Sequence, residues 1–194
     1  MQELTDPELA ERLVSAVATL LRTEHDSRIT LVRVPGWFAV PLSGGTHLST
    51  DDQARIVVAC ASQPDTRLWA LSIHDRHRAP MSVQAEIPDL LEFNRELSFL
   101  DYVLLATDND SSSPRWMLAC FTDDYLIALG PADSVQHLAG HTITDAFIAF
   151  REYASDAAWR PEVRANFEAV ARALLRYNDT APGTTISVPD DTSA

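Results

Sequence analysis

The apolar positions of this chain follow two rhythms that alternate along its length. Between residues 6 and 23, Leu9, Leu13, Ala16, Val17 and Leu20 recur three or four apart and mark one face of a helix. Thr5 and Glu8 stand ahead of them at capping-box spacing, and Pro7 suits an opening turn. "RITLVRV" and "WFAVPL" then alternate or are β-branched, with Pro35-Gly36 as a turn signal between them, which predicts a hairpin. After a loop over 43–52, "RIVVACAS" and "RLWALSI" predict a second hairpin joined by "QPDT". A helix from Thr50 through Ser62, with Asp51 and Asp52 in its first turn, competes for the first of those two strands.

"MSVQAEI" predicts a further strand, and Pro88 opens a short helix over 88–97 with Leu90, Leu91 and Leu97 on one side. "DYVLLAT", "RWMLACF" and "YLIALG" follow, separated by the polar turns "DNDSSSP" and Asp123-Asp124, and predict a three-stranded meander. The remainder is helical. "PADSVQHLAG" makes a short helix that Gly140 ends, and Thr142 with Asp145 caps a second one. Pro161 opens a third, in which Val163, Phe167, Val170, Leu174 and Tyr177 form a narrow apolar seam.

Segregated strands and helices without βαβ alternation predict an α+β fold: an N-terminal helix, a mostly antiparallel sheet of hairpins and a three-stranded meander, and C-terminal helices packed against it. A single domain is expected over 1–178, with 179–194 a mobile tail of loop composition. The element order is similar to that of small bacterial secretion-chaperone-like domains, in which a helix pair embraces such a sheet; the likeness lies in the order alone.

Composition narrows the function. The chain has 194 residues, 46 % of them hydrophobic, enough for a real core. It has no apolar run of the roughly 18 residues that would predict a membrane span. The polar, acidic start "MQELTDPELAERL" does not resemble a signal peptide, so a cytoplasmic location is expected. Cys60 and Cys120 sit inside apolar runs and read as small buried hydrophobes. All fifteen basic residues are arginine. The absence of lysine excludes Schiff-base, P-loop and serine–lysine chemistry, and together with abundant alanine it points to a GC-rich bacterial genome. A net charge of −13 argues against nucleic acid and against anionic membrane surfaces, and permits a basic protein as partner.

Candidate chemistry centres on "SIHDRHRAP". His74, Asp75 and His77 could ligate a metal or act as acid and base, as in a metal-assisted hydrolase. Arg76 and Arg78 oppose a cation there, and the segment has the composition of a loop that touches a partner or an anion. His137 and His141 stand four apart, but Gly140 intervenes. Asp108 and Asp110, with Asp123 and Asp124, mark the meander's turn tips, and two acidic tips on one edge would make a negative patch for a basic partner; Trp116, beside a turn, suits an interface anchor or the edge of the core equally. Asn94 falls on or beside the apolar face of its helix. No serine elbow or calcium loop is complete, and no cofactor is implied. The expectation is a non-enzymatic, acidic interaction module, accessory, chaperone-like or immunity-like, with the C-terminal seam either a homodimer contact or an intramolecular docking face.

Overall fold

The computed structural model describes residues 2–23, 29–63, 65–74, 79–97, 100–108, 113–122 and 124–188. The fold is α+β, with one seven-stranded and one three-stranded sheet, both antiparallel. Strand β1 (Gln2–Glu3) leads into α1 (Pro7–Leu20). Asp6, rather than Thr5, caps α1, accepting from the backbone N–H groups of Glu8 and Leu9. The helix stops at Leu20, and β2 (Leu21–Thr23) takes over the residues expected to extend it.

β3 (Ile29–Val32) and β4 (Trp37–Ser43) do not form the expected hairpin. β3 lies between β2 and β10 (Thr185–Val188) in the small sheet, whereas β4 is an edge of the large one. The Pro35-Gly36 turn, with Gly36 at φ +72°, is therefore a corner between sheets. Arg33 holds it: its Nη1 donates to the carbonyls of Val34 and Trp37, and its guanidinium lies over the rings of Tyr177 (5.1 Å) and Phe38 (5.8 Å). The C-terminal stretch expected to have no regular structure supplies β10 through residue 188, where Val188 is fully buried.

Residues 50–61 are helix α2 (Thr50–Ala61), so the strand reading of "RIVVACAS" is wrong and its competitor right. A capping box decides it. Ser49 Oγ accepts from the Asp52 N–H (3.2 Å), while Asp52 Oδ2 accepts from the Ser49 N–H (2.9 Å). Gln53, Ile56, Ala59 and Cys60 then fall on the buried face.

β5 (Thr66–Ser72), β6 (Met81–Val83), α3 (Ile87–Leu97), β7 (Tyr102–Asp108), β8 (Pro114–Phe121) and β9 (Tyr125–Pro131) follow, and β7–β8–β9 is the expected meander. The strand order is β1-β6-β5-β7-β8-β9-β4. Strand registry puts Tyr102, Cys120 and Leu126 on one face and Tyr125 on the other. Tyr102 meets Phe93 of α3 edge-on and donates to the Thr46 carbonyl ahead of α2. On the opposite face Tyr125 meets Phe167 of α6 (Pro161–Asp179). Helices therefore cover both faces, which is why β7, β8 and β9 read as unbroken apolar runs instead of alternating.

α4 (Ala132–Ala139) ends at Gly140 in the left-handed conformation, and α5 (Ile143–Ala154) starts at Thr142, both as expected. The seam of α6 is consumed inside the molecule: Phe167, Val170, Leu174 and Tyr177 have no exposure, so it is not free to join two copies. Trp116 is likewise wholly buried and cannot anchor a partner. A Cβ on Gly130 would stand 2.9 Å from Trp116 Cβ and 3.3 Å from its Cα, so β9 needs glycine there to lie this close to β8. Gly130→Ala is expected to destabilise the fold by about 1–3 kcal/mol through overpacking, read as a lower urea midpoint; an unchanged midpoint would contradict this packing.

Candidate functional site

The stretch "SIHDRHRAP" begins at the end of β5, where Ser72 pairs with Tyr102. His74 is the last described residue before 79, so Asp75, Arg76, His77 and Arg78 lie outside the described residues. His74 Nε2 is 2.8 Å from Asp101 Oδ2, and Asp101 Oδ1 accepts from the Thr122 N–H at 2.7 Å. The carboxylate is buried and the imidazole is 43 % exposed. This contact draws together the end of β5, the start of β7 and the β8–β9 turn. Asp101 carried no sequence signal, because a single aspartate before a strand has many possible partners.

Such a carboxylate–imidazole pair can orient a ring for acid–base work. Among the described residues, however, no three His, Cys, Asp or Glu side chains converge as metal ligands. Neither cysteine is a thiolate nucleophile: burial pushes the Cys60 thiol up to about 12, and burial likewise raises Cys120 far above the usual thiol range. His137 and His141 line a groove of about 940 Å³ with Arg55, Asp133 and Asp145, between α2 and the α4–α5 corner. Arg55 is engaged there, donating to the Ala139 carbonyl (2.9 Å) and to Asp52 (3.1 Å).

The acidic tips do not share an edge. Successive turns of an antiparallel meander sit at opposite ends of the sheet, so the β7–β8 and β8–β9 turns are separated by the length of β8, about 23 Å at roughly 3.3 Å per residue. Asp108 is paired with Arg115, which also donates to Thr66 Oγ1 (3.0 Å). Asp124 is exposed in a left-handed turn at φ +63°, and its carbonyl accepts from the Tyr153 hydroxyl. Asp110, Asp123 and the side chain of Asn94 lie outside the described residues.

Topology builds a different acidic surface. β1 pairs with β6 as Gln2↔Ser82 and Glu3↔Met81, and the Leu4 N–H donates to the Pro80 carbonyl. This brings the N-terminal segment beside β6, and α1 faces the 79–80 stretch that leads into it. Residues 2–20 carry Glu3, Asp6, Glu8 and Glu11 against Arg12; residues 84–97 carry Glu86, Asp89, Glu92 and Glu96 against Arg95. Together the two segments carry eight carboxylates and two guanidiniums, and every one of the eight except Asp89 is exposed. The Gln84 N–H donates to Asp89 (2.9 Å) and holds that carboxyl below its usual range. The two runs of acids are visible in the sequence, but the pairing of β1 with β6, Gln2 with Ser82 and Glu3 with Met81, is not.

No protein-family model matches this chain, and none of the curated proteins or solved structures compared with it does either.

The His74–Asp101 contact makes a direct prediction. Asp101→Ala strips a buried acceptor from the Thr122 N–H and is expected to cost about 1–3 kcal/mol. His74→Ala, at a half-exposed position, is expected to cost under about 1 kcal/mol. Chemical denaturation of both variants checks this, and the reverse order would show that His74 carries more than the contact described.

Proposed function

We propose that this protein is a non-catalytic acidic interaction module that binds a basic protein, in the manner of an accessory, chaperone-like or immunity-like protein. The observation that carries this reading is the edge of the large sheet where β1 joins β6, with Glu3, Asp6, Glu8 and Glu11 against Arg12 on the segment that reaches it. A surface of one sign raises the rate of encounter with an oppositely charged partner and discourages like-charged ones. Each exposed pair contributes little by itself, so the effect comes from the sum and weakens as salt is added. The overall charge of −13 acts in the same direction at longer range.

The runner-up is acid–base chemistry at His74, which rests on the buried Asp101 that orients the ring. The interaction reading is preferred because the acidic end needs no additional reacting group to be useful.

The missing lysine makes a clean test possible. A carbodiimide joins carboxylates to amines, and this chain offers no side-chain amine to another copy of itself. After incubation with lysate of the source organism at low ionic strength, crosslinks to a lysine-bearing partner are expected on Glu3, Glu8 or Glu11, and are expected to disappear at high salt. Crosslinks restricted to Asp108 and Asp124, or unchanged by salt, would contradict the proposal.

A further inference from the structure

The acidic end contains an apolar groove of about 580 Å³, within the roughly 300–1,000 Å³ typical of ligand sites. Leu4, Ala10, Val14, Ala18, Ala79 and Pro80 line it. The groove exists because α1 has two apolar stripes. Leu13 and Leu20 point inward and are buried, and α1 packs on β2 and β3. Ala10, Val14 and Ala18, four apart along the helix, make a second stripe that faces the 79–80 stretch across the groove. Val14 is left half-buried. Glu11 stands in the wall, and Glu3, Asp6 and Glu8 lie exposed on the segment leading into it.

We infer that this groove is the docking site for an amphipathic, lysine- or arginine-rich segment of the partner, which seats an apolar side chain between α1 and Pro80 and sets its cations against Glu3, Glu8 and Glu11. The inference rests on the acidic-module reading and specifies where and how that surface grips. Charge complementarity selects this occupant over a second copy, because a second copy would present the same carboxylates to a rim that is already negative. An apolar floor with a charged rim is the arrangement by which grooves take amphipathic segments: the floor supplies affinity and the rim supplies selection and speed.

Two synthetic peptides of equal positive charge separate the groove from the charge. One carries leucines at helical spacing among lysines, and the other is oligolysine. Fluorescence anisotropy at low ionic strength is expected to show the leucine–lysine peptide binding at least about tenfold more tightly. Val14→Asp is expected to abolish that advantage while leaving oligolysine binding intact. Glu3→Arg/Glu11→Arg, both at exposed positions, is expected to weaken both peptides, and Glu152→Arg/Glu168→Arg on the C-terminal helices neither. Circular dichroism of each variant confirms its fold. Equal binding of the two peptides, unaffected by Val14→Asp, would overturn the groove and leave the acidic reading standing. Binding by neither peptide would remove both, and tight concentration-dependent self-association abolished by Val14→Asp would instead assign the groove to a second copy.

Discussion

An antiparallel sheet leaves a row of unpaired N–H and C=O groups along each outer strand, and this chain treats its two edges differently. At the β4 edge the side-chain amide of Asn178, near the end of α6, acts as a stand-in strand. Its Nδ2 donates to the Ala39 carbonyl and its Oδ1 accepts from the Ala39 N–H, both at 2.9 Å. Pro41, two positions on, shares the orientation of Ala39, so its missing N–H falls on the outer side, where no ladder bond is needed. The neighbouring Tyr177 hydroxyl donates to the Val32 carbonyl and accepts from the Val34 N–H, while its ring lies under Arg33. One turn of α6 thus seals the edge and fixes the corner at which the chain passes from the small sheet to the large one.

The opposite edge is closed differently. β6 has three residues and β1 only two, so little of their outer backbone is presented. Exposed carboxylates on both sides of that short pairing discourage another sheet from adding on. The same charges that protect the edge make it attractive to a cationic surface. Under the proposed function, protection and recognition are one property seen by two kinds of neighbour: a second copy is repelled and a basic segment is drawn in. The apolar groove beside α1 gives such a segment somewhere to put its uncharged side chains.

Much of the fold was legible in the sequence, because local signals and tertiary packing agree. The meander, the Thr142-capped helix after Gly140 and the buried seam of α6 all follow from periodicity and turn chemistry. What was not legible is non-local. "RIVVACAS" is β-branched enough to pass for a strand, and only the Ser49–Asp52 capping box outweighs that preference. Pro35-Gly36 signals a turn but not whether its flanking strands meet, and here β2 and β10 claim β3 first. The acidic tips were misjudged for a reason already in the sequence, since consecutive meander turns must lie at opposite ends. Trp116 stays ambiguous in sequence because an indole next to a turn looks the same whether it is buried or faces solvent, and here it is buried.

The central claim is that the edges differ in kind, with the β4 edge sealed and the β1–β6 edge the working surface. Amide hydrogen exchange of the whole chain, alone and saturated with the leucine–lysine peptide, tests it most directly. The account predicts added protection in β1, the first half of α1 and the 79–83 stretch, with β4 and both meander turns unchanged. Protection appearing instead along β4, or at the β7–β8 and β8–β9 turns, would contradict it.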